Sequence, residues 1–104
     1  MVGGRSLFRA RTVRRSHLFE NHATQLQPDA RRLDEQLRGV EWAVATKPEA
    51  FPQIPNTALR LIKTDPFPDA PALRIYFTID GDHYCTLQFI EKVEELAEEE
   101  DFSQ

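Results

Sequence analysis

The spacing of apolar residues changes once along this chain, and that change sets what it can fold into. Up to residue 46, apolar side chains recur every third or fourth position, the repeat of one helix face. From residue 58 they recur every second position, the repeat of one strand face. Leu18, Phe19, Ala23 and Leu26 share one side of a short helix over residues 16–26, with Ser16 as its N-cap. Ala30, Leu33, Leu37, Val40 and Val44 form the stripe of a longer helix. Pro28 fits its first turn, Asp29 suits its positive end, and Pro48 requires it to stop. Gly39 weakens this helix by about 1 kcal/mol relative to alanine without breaking the pattern.

In the second half, strands are expected at residues 58–63, 72–79 and 83–90. Leu73, Ile75, Phe77 and Ile79 face one way; Arg74, Tyr76 and Thr78 face the other. In the next strand Cys85, Leu87 and Phe89 point inward, opposite Tyr84, Thr86 and Gln88. Asp80-Gly81-Asp82 joins the two as a hairpin, because glycine supplies the positive φ such turns need. Pro66, Pro68 and Pro71 stiffen the loop over 65–71. Residues 47–57 form an ordered connector, held down by Phe51 and Ile54. Residues 7–13 read as a short first strand, and 91–101 as a helix-prone segment with Val93, Leu96 and Ala97 on one side.

The resulting order is strand, helix, helix, then three antiparallel strands. This is an α+β design: an N-terminal strand, a two-helix hairpin and a three-stranded antiparallel sheet packed on the helices. At 104 residues the chain makes one domain, 1–104, with a flexible N-terminus over 1–6 and an acidic C-terminal helix or tail over 91–104.

Net charge is −4, which argues against a nucleic-acid binder until it is sorted by position. Residues 1–90 carry 12 Lys and Arg against 10 Asp and Glu, whereas residues 91–104 carry one lysine against seven acids. The body is therefore slightly basic and the tail acidic. The single cysteine, Cys85, excludes an internal disulfide and reads as a small core filler. His17, His22 and His83 do not form a metal-ligand pattern; the first two read as solvated helix residues and the third as a surface residue. No cofactor is expected. No apolar run approaches the ~18 residues of a membrane span, and Met1-Val2-Gly3-Gly4-Arg5 opens no signal peptide. The expectation is a soluble cytoplasmic protein with no membrane partner.

With Leu59 and Leu61 turned inward, the open sheet face collects Arg60, Arg74, Tyr76, Thr78, Tyr84, Thr86 and Gln88, with Lys63 at the end of its strand. Two readings of this surface stand. Arginine forks hold phosphate oxygens and tyrosine rings stack on bases, so the face fits RNA or phosphate. From spacing alone the plainer reading is preferred: Arg, Thr, Tyr and Gln are ordinary solvent-facing strand residues. Trp42, beside the helical stripe, either covers the core edge or meets a partner.

The stretch Ala72-Leu73-Arg74-Ile75-Tyr76-Phe77-Thr78-Ile79-Asp80-Gly81-Asp82 resembles the core hairpin of the RelE/ParE toxin superfamily. Upstream, the order is similar too: a first strand, a helical hairpin with Phe19 near its start, Pro48 after the second helix, then the basic strand Ala58-Leu59-Arg60-Leu61-Ile62-Lys63. The resemblance covers residues 7–96. It implies a toxin of a toxin–antitoxin pair, a ribosome-dependent endoribonuclease (mRNA interferase) held inactive by an antitoxin peptide or protein. In such a site, basic side chains hold the phosphate and stabilise its developing charge. By position, the resemblance assigns catalytic roles to Arg74, Arg60, Tyr76 and Lys92, and RNA contacts to Lys63, Tyr84, Thr86 and Gln88. mRNA and the ribosome are then partners, and a homodimer is among the assemblies allowed. Two departures stand out. Ile62 replaces a second basic residue, and Glu91-Lys92-Val93-Glu94-Glu95-Leu96 is acidic where the family is basic. A non-catalytic protein-binding module and a ParE-like gyrase-directed toxin are therefore the alternatives. The tail itself is either a solvated helix or an acidic pseudo-ligand folded onto Arg60 and Arg74.

Overall fold

A computed structural model describes residues 10–66 and 71–93. The expectations for residues 1–6 and for the tail beyond 93 lie outside those residues. Strand β1 is Thr12–Arg15, helix α1 His17–Leu26 and helix α2 Ala30–Thr46. A single 3₁₀ turn, Pro48–Ala50, follows. Strands β2, β3 and β4 are Arg60–Lys63, Leu73–Asp80 and Tyr84–Lys92. The first strand was expected at 7–13; among the described residues it begins only at Thr12. The segment expected to turn helical at 91 instead continues β4 to Lys92.

Capping chemistry starts both helices. The Ser16 hydroxyl accepts the Phe19 N–H at 3.0 Å and donates to the Gln88 carbonyl at 3.2 Å, so it caps α1 and clips that helix to β4. The Asp29 carboxylate accepts the N–H groups of Arg31 at 3.1 Å and Arg32 at 3.4 Å. Asp29 is therefore the cap of α2, and Pro28 precedes the helix instead of entering its first turn. Phe19 and Ala23 of α1, and Leu33, Leu37, Val40 and Val44 of α2, are buried. Ala30 and Leu26 stay exposed, as does Leu18.

The four strands form one mixed sheet in the order β1-β4-β3-β2. The expected three-stranded antiparallel sheet is thus corrected: β1 joins it, parallel to β4, from Thr12 opposite Tyr84 to Arg15 opposite Leu87. Apolar period reveals which face a strand buries and says nothing of its neighbours, so this long-range pairing had no local signal. Helix α1 then runs on beside β4 past the point where β1 stops. Arg15 ties β1 to α2, donating to Glu41 at 2.7 Å and to Asp34 at 3.4 Å. Burial works against its charge, but these two carboxylates outweigh that cost and raise the guanidinium pKa.

Leu73, Ile75 and Phe77 of β3 pack on the helices, together with Cys85, Leu87 and Ile90 of β4. Burying each of the larger side chains contributes roughly 1.5–3 kcal/mol. Burial pushes the Cys85 thiol pKa up, consistent with a core filler. Gly81 turns the β3–β4 hairpin at φ 83°, the left-handed conformation glycine tolerates best.

Two register details rearrange the expected faces. In β3–β4, Phe77 pairs with Leu87 but Tyr76 pairs with Phe89, leaving Gln88 as an extra residue in a β-bulge. From Phe89 to Lys92 the faces are inverted: Ile90 enters the core, Lys92 falls on the helix side opposite Leu73, and Phe89 and Glu91 emerge on the open face. Phe89 was expected in the core. In β2, Arg60 pairs with Phe77 and Ile62 with Ile75, so these two face the helices. Leu61 pairs with Tyr76 and Lys63 with Arg74, so Leu61 and Lys63 face outward. Leu61 was expected inward. Leu61 and Ile62 are both apolar and adjacent, so period alone permits either face; pairing with β3 selects Ile62.

Candidate binding face

The open sheet face is built from the outward residues of all four strands. At one end Arg74 donates Nη1–H to Oε2 of Glu91 at 3.1 Å, and the Tyr76 hydroxyl donates to the same oxygen at 2.8 Å. The hydrogen bond to Glu91 raises the Arg74 pKa further above its ordinary value. Burial, followed by the hydrogen bond to Glu91 and that carboxylate's charge, raises the Tyr76 phenol above its ordinary value. Tyr76 is therefore held as a neutral donor, not as a base. Lys63 sits in register beside Arg74.

At the other end, Asp80 accepts hydrogen bonds from the Thr78 hydroxyl at 3.0 Å and from the Thr86 hydroxyl. Arg14 of β1 lies 3.7 Å from Asp80 and stacks its guanidinium 4.3 Å above the centre of the Tyr84 ring. Gln88 donates to the Thr78 hydroxyl at 3.1 Å. Between the two polar ends runs an aromatic row. Tyr76 and Phe89 have ring centres 5.9 Å apart, and Phe89 meets His22 of α1 edge-on at 4.8 Å. Leu61 extends the row onto β2. His22, expected to be solvated, is thus half-buried against this row.

No family model and no curated protein matches this chain.

What the face can do has to come from its own geometry. Of the four residues assigned catalytic roles, Arg74 and Tyr76 come together, and the other two do not join them. Arg60 lies on the helix side, where its guanidinium donates to the Phe51 carbonyl at 2.8 Å and toward that of Glu49 at 3.5 Å. It fastens the connector to β2. Lys92 also lies on the helix side, displaced there by the bulge. Of the four residues assigned RNA contacts, Lys63 adjoins Arg74, whereas Tyr84, Thr86 and Gln88 cluster at the Asp80 end. The residues that the alternation pattern missed are Leu61, Phe89 and Glu91, all through register, and Arg14, through the unanticipated β1–β4 pairing. Charges of both signs share the surface, with Arg14 beside Asp80 and Arg74 between Glu91 and Lys63. Among the described residues no group of three or more His, Cys, Asp or Glu side chains is placed to hold a metal ion. No helix among them is long and apolar enough to cross a membrane.

Proposed function

We propose that this chain is a toxin-like domain of the RelE/ParE type that acts by gripping a protein partner, not by cutting RNA. The observation that carries this reading is the Glu91 carboxylate, bonded to both Arg74 and Tyr76 while Arg60 and Lys92 lie across the sheet. Phosphoryl cleavage needs positive charge converging on one oxyanion. Here a carboxylate takes the place where that anion would sit. The α+β order of strand, two helices and three strands is in keeping with the toxin resemblance.

A nucleic-acid surface is dominated by uncompensated positive charge, whereas a protein interface joins an aromatic centre to a polar rim of mixed sign. The row of Leu61, Tyr76, Phe89 and His22, flanked by Arg14/Asp80 and Arg74/Glu91, supports the second pattern. Trp42 on α2 is 62% exposed and does not cover the core, which adds a second anchor for a protein partner. An antitoxin-type peptide and a gyrase-like target both belong to this class of partner.

Inducible expression in a bacterium, with mRNA integrity, translation rate and DNA-damage signalling followed together, tests the reading. We expect mRNA to stay intact and any growth arrest to be abolished by Leu61→Glu, which places a charge in the apolar row. Affinity of the purified protein for a partner selected by pull-down from the same cells should weaken by tenfold or more with the same substitution, about 1.4 kcal/mol. Ribosome-dependent mRNA cleavage that is lost in Arg74→Ala overturns the proposal in favour of a RelE-like endoribonuclease.

A further inference from the structure

The bulge at Gln88 has a second product on the opposite side of the sheet. There the end of α1 and the start of α2 stand over the ends of β3 and β4 and enclose a pocket of about 320 Å³. Its apolar lining comes from Leu26 of α1, Leu33 of α2, Leu73 of β3 and Ile90 of β4. The polar lining includes Gln25, Gln36 and Lys92. Small-molecule sites join apolar walls to placed polar groups; here Gln25, Gln27, Gln36 and Lys92 share the lining almost evenly with the apolar side chains, and the volume lies near the lower end of the usual range of ~300–1,000 Å³.

Lys92 sets the chemistry. Arg11, Arg14, Arg15 and Arg74 each have a carboxylate partner. Lys92 has none among the described residues, although it stands in register with the buried Leu73. Had β4 kept the register of its first half, Lys92 would fall on the open face, opposite Ala72. The bulge brings it to the pocket and simultaneously seats Ile90 in the lining. A lysine is a compact point charge on an apolar stem, so its methylenes can line the pocket while its ammonium stays at the mouth. One ammonium with neutral glutamine amides matches a singly charged head group. A phosphate dianion is best held by several cations or an arginine fork, and among the described residues Lys92 is the one cation in the lining.

We propose that this pocket binds a small amphiphilic carboxylate, an alkyl or aryl carboxylic acid. Its apolar body rests on Leu26, Leu33, Leu73 and Ile90, and its carboxylate is held at Lys92. This goes beyond the reading of the open face and does not depend on it, because the two sites lie on opposite sides of the sheet.

Octanoate, with neutral octanol as the uncharged control, tests the proposal by NMR on the full chain. The methyl resonances of Leu26, Leu33 and Ile90 are expected to shift saturably with octanoate. Lys92→Gln, a change at an exposed strand end, should weaken octanoate binding about tenfold, as expected for losing roughly 1.4 kcal/mol of charge pairing, and leave octanol binding unchanged. Gln36→Trp, which fills the pocket from α2, should abolish both. Absence of saturable shifts at these methyls overturns the proposal. So does equal octanoate affinity in the wild-type and Lys92→Gln proteins.

Discussion

Glu91 decides the electrostatics of the open face. One of its oxygens receives both the Arg74 guanidinium and the Tyr76 hydroxyl, so it adds to burial in keeping the phenol protonated and lowers the positive charge of the surface. Tyr76 should therefore ionise above the ordinary tyrosine value of 10.0. Because the folded-state pKa is raised, the contact's stabilising contribution is complete below the ordinary value. It is lost as pH rises through the higher folded-state value. A spectroscopic titration of tyrosinate, with the Tyr76 signal assigned by its loss in Tyr76→Phe, should show Tyr76 ionising above the ordinary value, and Glu91→Gln should bring it down. Ionisation of Tyr76 at the ordinary value in the wild type would rule out the contact. The two side chains are 31% and 37% exposed, so a double-mutant cycle between Arg74→Ala and Glu91→Gln should return a coupling of only about 0.2–1 kcal/mol. At this scale the sequence was a partial guide. Arg74 and Tyr76 were visible as outward neighbours two apart, but Glu91 looked like the first residue of an acidic tail. Nothing in its identity announced that it would close the site.

The helices and the hairpin are the elements that local chemistry specifies most fully. Ser16, Asp29, Gly81 and the stripe from Leu33 to Val44 all have the roles their side chains imply. The strands were legible in extent and misleading in orientation. Strict alternation through β4 sends Phe89 inward, whereas the extra residue at Gln88 sends it outward and Ile90 inward. A bulge has no compositional signature here, since glutamine is ordinary at any exposed strand position. Deleting Gln88 provides a direct check. Without it, Leu87, Phe89, Ile90 and Glu91 alternate regularly and keep the faces they now have. The shortened protein should fold and retain the late-ionising Tyr76. It should lose about 1–3 kcal/mol, because the bonds to Ser16 and Thr78 go with the deleted residue. Loss of the late ionisation in a folded deletion variant would show that the bulge does more than set register.

For the whole molecule, the α+β class followed from the change of period, and the position of β1 did not. Strand β4 holds the centre: β1 and β3 flank it, α1 runs beside it, and Leu87 at its middle is fully buried. Leu87→Ala should cost about 2–5 kcal/mol in denaturant unfolding. Trp42→Ala should stay within about 0.5 kcal/mol while weakening partner binding, which would separate an interface residue from a structural one. The parallel β1–β4 pair also governs how the protein is made. Residues 12–15 are translated early, yet their partners at 84–87 emerge some seventy positions later. A nascent chain can form both helices on the ribosome, but their apolar stripes have no finished sheet to cover them until β4 arrives. During that interval the half-built domain shows its apolar stripes and an unpaired strand edge, the state in which a nascent chain is most prone to aggregate.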